Sequence, residues 1–281
     1  MVETSLRDLA AHGARIRFEE AGAGPPVLLL HDLLSSRLEW RGLVEALAPK
    51  HRVVACDLPG FGDSEKPPPS RFAYTLGAFA EAVCDLAGAL GLGRVSVVGH
   101  GLGGSIALVL AARHPSVVER LVLVGPYVYA PPRSALVRLA QVPVVGGFAF
   151  KQLAGARLFR AHFRQAFAPA SSVPWDRVAA HLEQWGSPAG REAAQATLEA
   201  LFDLRPVSAR TDSVRTPALV VWGRDDALAP VDGGRRLARE LADARLELLE
   251  CGHSPPEELP EAFAALAGAF LGRRARGWRA A

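Results

Sequence analysis

The sequence is short of several things that would mark particular protein classes. Of its 281 residues only three are cysteine, three are tyrosine and one is methionine. An odd set of cysteines without paired spacing excludes a small disulfide-stapled scaffold. Cys56, Cys84 and Cys251 instead fit free thiols in a reducing compartment, so a cytoplasmic location is expected. No apolar run approaches the ~20 residues that a membrane-spanning helix needs. The opening MVETSLRDLAAHGARIRFEE lacks the basic segment and apolar core of a signal peptide, so none is expected. Charge of one sign is lacking as well. Thirty-two Lys and Arg stand against 29 Asp and Glu, a net +3, too mild to argue for nucleic acid. With 49% hydrophobic residues the chain can bury a core, which excludes a disordered protein.

The distribution of charge says more than its sum. Between Pro131 and Val173 stand Arg133, Arg138, Lys151, Arg157, Arg160 and Arg164 without an acid, and the tail adds Arg273, Arg274, Arg276 and Arg279. The ordinary reading is a solubilising surface on an apolar helical segment. The sharper one is attraction for an anionic substrate or a peripheral membrane surface.

Glycine (27) and proline (21) are plentiful, and the turns they mark divide the chain into alternating elements. Ala14–Glu20 places Ile16 and Phe18 on one face after a His12–Gly13 turn signal, which predicts part of a hairpin. Val27–His31, Arg52–Cys56, Val95–Gly99 and Arg120–Val124 are short apolar runs that read as buried strands. Glu39–Leu47, Leu76–Leu92 and Gly103–His114 read as the helices between and after them. From Pro126 to Pro206 the strand signal vanishes. Helical stretches follow, broken at Pro143, Gly146–Gly147, Pro169, Pro174 and Pro188. Strands return at Ala218–Trp222 and Arg245–Leu249 around a helix at Gly233–Ala242, and Phe263, Leu266, Phe270 and Leu271 mark a last helix. This alternation predicts an α/β fold with a mostly parallel central sheet flanked by helices. Residues 1–125 and 207–281 would form the core, and 126–206 an inserted helical cap.

Open α/β sheets bind ligands beyond the carboxyl ends of their strands. Five such ends carry chemistry: His31-Asp32-Leu33, Asp57-Leu58-Pro59-Gly60, Gly99-His100-Gly101-Leu102-Gly103, Gly223-Arg224-Asp225-Asp226 and Cys251-Gly252-His253. In chain order they resemble the capped α/β-hydrolase family across residues 12–272. The resemblance implies a nucleophile on a sharp strand-to-helix turn written Gly-x-nucleophile-x-Gly. VVGHGLGGSIAL has both glycines, but the nucleophile position is Gly101, which has nothing to attack with.

The resemblance further implies Asp226 as the acid, with Asp225 as its neighbour and alternative, and His253 as the base. An acid fixes the imidazole tautomer and stabilises its protonated form. The alternative is a relic pair that only stabilises two loops. The oxyanion donors implied are the backbone amides of Leu33 and Leu102. The glycine that ordinarily follows His31 is Asp32. Its carboxylate, ~6 Å from a forming oxyanion, would oppose it by roughly 3 kcal/mol at an effective dielectric near 20. It could equally turn away as a loop residue.

Other nucleophiles are less suited. Ser105 lies one helical turn beyond Gly101 and reads as packing, and Cys56 and Cys251 have no elbow. His100 is the residue beside the nucleophile position, and His162 and His181 fall in the cap, where surface or packing roles are the default. No His, Cys or carboxylate spacing marks a metal site, and no cofactor is expected. Gly101–Gly104 lacks both the P-loop Lys-Ser/Thr and dinucleotide spacing. Three readings follow: an enzyme whose Asp-His dyad activates water or a substrate proton in hydrolase or lyase chemistry, a small-molecule-binding pseudohydrolase, or lost function. An apolar ligand with one anionic group is the expected partner. Small flanking residues also predict that Gly101→Ser alone would regain a working hydroxyl.

Overall fold

The computed structural model describes residues 3–142, 150, 155–169 and 172–272. Pro143, Gly146–Gly147, Lys151 and the four tail arginines lie outside the described residues. Eight strands make one sheet in the order β1-β2-β4-β3-β5-β6-β7-β8. They are β1 (Thr4–Ala11), β2 (Ala14–Ala21), β3 (Pro26–Leu30), β4 (Arg52–Cys56), β5 (Val95–His100), β6 (Val118–Val124), β7 (Ala218–Gly223) and β8 (Ala244–Leu249). β1 pairs antiparallel with β2 and β2 with β4, whereas every later pair is parallel.

The hairpin turns at His12 (φ 45°) and Gly13 (φ 81°). Two positive φ angles give the mirror-image turn whose twist matches the flanking strands. β1 is an exposed outer strand with no apolar alternation, which is why the sequence showed only its partner. Every residue of β5 and β7 is buried, so each reads as a continuous apolar run. Side chains of β3 alternate between two cores. Leu28 and Leu30 pack with Phe79 and Val83 of α2 (Leu76–Ala89) and Ile106 of α3 (Leu102–Arg113). Val27 and Leu29 pack on the other face with Leu43 and Leu47 of α1 (Arg41–Leu47) and, from the last helix, Phe263 and Ala267.

Between β6 and β7 the described residues hold only helices, chiefly α4 (Ala135–Ala140), α5 (Ala156–Ala166), α6 (Trp175–Trp185) and α7 (Pro188–Leu201). Pro188, a helix break by sequence pattern, in fact opens α7 behind a Ser187 cap, since proline fits a first turn whose amides need no partner. α8 (Val231–Glu240) and α9 (Pro260–Leu271) complete the layers. No described helix is long and apolar enough to cross a membrane.

Candidate active site

The parallel strands deliver their carboxyl ends to one rim. At its centre β5 ends on His100, α3 begins on Leu102, and Gly101 joins them at φ 47°, ψ −108°. Glycine enters that region without steric cost. A Cβ on Gly99 would lie 2.4 Å from the Gly103 carbonyl oxygen, and one on Gly103 would lie 2.1 Å from that of Leu30. The flanking glycines are therefore required by the closeness of the chain to itself.

The space beside Gly101 is filled. A Cβ built there would stand 1.8 Å from Oδ1 and 2.3 Å from Cγ of Asp32. The Leu102 amide donates to Oδ1 at 2.8 Å, and the Tyr127 hydroxyl donates to Oδ2 at 3.0 Å. His253 Nε2 lies 3.2 Å from the same Oδ2. The carboxylate thus sits on the amino end of α3, where the helix dipole favours an anion. Burial alone would raise its pKa. The hydrogen bond and charge of His253, the charge of His100 and the Leu102 amide outweigh burial and hold it well below the usual carboxylate range.

Two expectations change here. Of the two directions left open for Asp32 the inward one is taken, and the Leu102 amide expected to serve an oxyanion already serves Asp32. Leu33, which follows, is buried in the same loop. Gly101→Ser alone is blocked by the carboxylate.

His253 Nδ1 lies 2.7 Å from Asp226 Oδ2. Asp226 Oδ1 accepts from the amides of Leu228 (2.9 Å) and Ala229 (2.8 Å), which aims the other oxygen at the ring. Asp225 is exposed and meets Cys251 only through its backbone. Burial would make the His253 imidazole neutral, but Asp226 and Asp32 on either side push its pKa up to about 10. The resting ring is an imidazolium between two carboxylates. Its loop is fastened from behind: Glu258 accepts from the amides of Gly252 (2.9 Å), Ser254 (3.0 Å) and Ala168 (2.7 Å). The His253 amide itself donates to Ala166 O at 2.6 Å.

The alternative nucleophiles are held inert. Ser105 Oγ has its one proton held between the carbonyl oxygens of Tyr127 (2.7 Å) and Gly101 (3.1 Å). Burial pushes the Cys251 thiol up to about 12 and Cys56 higher still. Asp57 is wholly buried, accepts from the amides of Arg37 (2.7 Å) and Asp63 (2.8 Å), and pairs with the Arg37 guanidinium. That makes its loop structural. His31 does similar work, with Nε2 accepting from the Leu58 amide at 3.0 Å.

Several members were not singled out in the sequence. Tyr127 stands three residues beyond β6, a strand end that could have been inspected. Glu39 is buried, accepts from the Asp32 amide (3.2 Å) and Ser35 Oγ (2.6 Å), and lies 3.5 Å from His100 Nδ1. His100 Nε2 donates to the His253 carbonyl at 2.8 Å. His162 and His181 are both buried, the former with Nδ1 and the latter with Nε2 unpartnered. Burial lowers their pKa values to about 4 and about 3, so both are neutral. Although no spacing suggested it, donor atoms of Asp32, His100 and His253 lie within 4.8 Å of one another, a grouping able to hold a metal ion. His253 and Asp32 already share hydrogen bonds with Tyr127, and His100 Nε2 with the His253 carbonyl, while the buried His100 Nδ1 has no hydrogen-bond partner and lies 3.5 Å from Glu39 Oε1. Away from this centre, Arg160, Arg164, Trp175, Val178, Ala179 and Leu182 line a cleft of about 310 Å³ on α5 and α6.

Comparison with known proteins gives the family of the fold. Residues 25–260 match the family model described as alpha/beta hydrolase fold, and the chain belongs to that family. It is 30% identical over 292 residues to 2-hydroxymuconate semialdehyde hydrolase of Pseudomonas sp. (strain CF600), covering 94% of this chain and 93% of that one. It is 41% identical over 110 residues to the soluble epoxide hydrolase of Corynebacterium sp. (strain C12), covering 39% of this chain and 37% of that one. A solved hydrolase from Pseudomonas aeruginosa PA01 superposes with a TM-score of 0.81 at 26% identity, over 96% of this chain and 99% of that chain.

Proposed function

We propose that the chain is a hydrolase-superfamily enzyme that acts on a small, largely apolar molecule without a serine ester intermediate. His253, oriented by Asp226, exchanges a proton with water or substrate. The observation that carries this reading is the 2.7 Å Asp226–His253 bond kept beside an elbow whose residue has no side chain. A buried imidazolium with two carboxylates costs desolvation, and such a group is weak evidence of stabilisation in its own right. Residues 126–206 act as a cap over it. The test is turnover of small esters, vinylogous diketone acids, epoxides and alkyl halides by the parent, His253→Ala and Asp226→Asn. Loss of about 10²–10⁴-fold on removing the proton carrier is expected. Turnover unchanged in His253→Ala refutes the reading. Occupation of the Leu102 amide by Asp32 favours a second reading, a binding pseudohydrolase, for which ligand affinity changes little in His253→Ala.

A further inference from the structure

We propose that the outer face of α5 and α6 docks on an anionic lipid bilayer. From Pro131 to Val173 the sequence holds no acid, and Arg133, Arg138, Arg157, Arg160 and Arg164 are all exposed. Among the described residues none of these five is paired with a carboxylate. Elsewhere Arg7, Arg15, Arg52, Arg71 and Arg113 each hold one. α5 turns its two faces to different media. Phe159, His162, Phe163 and Ala166 are buried, whereas Arg157, Arg160, Ala161 and Arg164 are exposed. At about 100° per residue these four exposed positions form one stripe, with its three guanidinium groups spread over roughly 10 Å of helix. Such a stripe meets several phosphodiester headgroups at once, where a small soluble anion would engage only part of it. α4, which carries Arg138, packs against α5 and adds positive charge beside the stripe.

Trp175 stands next to the stripe at the first turn of α6. It is 38% exposed, and it is the only exposed aromatic ring among the described residues. The Arg164 guanidinium lies 5.3 Å from the centre of that ring. An indole beside a cation, apolar in body and with an N–H to donate, suits the headgroup layer of a bilayer. Val178, Ala179 and Leu182 complete the cleft of about 310 Å³ that Arg160, Arg164 and Trp175 share. Alkyl groups framed by cations match the upper part of an acyl chain beneath its phosphate. The exposed acids of α6, Asp176 and Glu183, fall about a quarter turn away from the cleft side of that helix. A single exposed ring offers no series of stacking platforms, so a nucleic acid matches this face less well than a bilayer does. Docking makes no use of His253 and is independent of the proposed chemistry. It rests the segment between β6 and β7 on the phase in which apolar molecules collect.

The test floats the intact chain with vesicles of phosphatidylcholine and phosphatidylglycerol in equal parts, and with phosphatidylcholine alone. At low salt the parent should bind only the anionic vesicles. Each arginine at an anionic surface contributes about 5-fold to partitioning. Arg160→Gln should therefore lose about 5-fold, and Arg157→Gln, Arg160→Gln and Arg164→Gln combined about 10²-fold. Raising sodium chloride to about 1 M, where charges act over only about 3 Å, should release the protein. Brominated lipid should quench the parent's emission, and Trp175→Phe should remove that quenching. Arg94→Gln, at an exposed arginine just before β5 on the opposite rim, should bind as the parent does. Equal binding to both kinds of vesicle, or a triple variant that binds like the parent, overturns the proposal. So does capture of a single-stranded oligonucleotide or of soluble glycerol phosphate through these arginines with no binding to vesicles.

Discussion

Gly101→Ser forces a collision whose size can be worked out. The new Cβ would stand 1.8 Å from Asp32 Oδ1, so the carboxylate must leave. Leaving breaks its bonds to the Leu102 amide (2.8 Å) and the Tyr127 hydroxyl (3.0 Å) and separates it from His253 (3.2 Å). Stripping a buried charge of its partners costs about 3–5 kcal/mol. A non-glycine residue in a sparsely populated backbone region adds roughly 1–3 kcal/mol. The single variant should therefore lose about 4–8 kcal/mol, much of an ordinary domain's stability. Asp32→Gly alone leaves donors unpaired and should cost about 1–3 kcal/mol. In the double variant the collision is gone and the serine hydroxyl inherits the space, so only the backbone term remains. The two substitutions should couple favourably by about 4–8 kcal/mol, the sum of the collision and unpaired-donor costs that both vanish together. Urea unfolding of the four proteins measures the cycle, and fluorophosphonate labelling reads the chemistry. The double variant should label and hydrolyse short p-nitrophenyl esters slowly, while the parent does neither. Additive energies, or a Gly101→Ser protein as stable as the parent, would refute the placement of Asp32.

Asp226→Asn should destabilise by about 3–5 kcal/mol near neutral pH. The His253 pKa rises from 6.5 to about 10 on folding, so its contribution is complete below 6.5 and lost as pH climbs through about 10. The gap between parent and Asp226→Asn in urea titrations should accordingly narrow toward pH 10, and a constant gap contradicts the assignment. Glu258→Gln weakens three charge-assisted bonds and should speed amide exchange at Gly252 and Ser254 while leaving β5 protected. Unchanged exchange there would show that the loop is held by something else. Arg37→Ala strands the wholly buried Asp57 and should lower stability by about 3–5 kcal/mol, read by thermal or urea unfolding.

The parallel strands were legible because their burial on both faces leaves continuous apolar runs, as in Val95–Gly99 and Ala218–Trp222. The elbow was legible because Gly99 and Gly103 keep a fixed spacing about Gly101, the first forced by the Gly103 carbonyl and the second by the Leu30 carbonyl of the neighbouring strand. β1 was not, since an exposed outer strand has no apolar period to show. The direction of the Asp32 side chain was not legible either. It depends on the Leu102 amide, Tyr127 and His253, which are 70, 95 and 221 positions away. Nor did Glu39, seven positions after Asp32, carry a local signal for its bond to the Asp32 amide. Polar networks of this kind are assembled by the fold, and their members have no common spacing. Pro188 shows the remaining type of error, in which one residue type has opposite meanings at the two ends of a helix.

The fastening of the histidine loop decides how the protein can breathe. Glu258 ties Gly252 and Ser254 to Ala168, and the His253 amide is moored to Ala166 at the end of α5. The helical segment therefore cannot lift at this point without dragging the histidine backbone with it. A movement of the helical segment that kept these bonds would turn about the end of α5. Movement small enough to keep these bonds admits molecules without disturbing the ring. Movement large enough to break them reports itself at His253, so the reach of the opening and the alignment of the base are one mechanical variable.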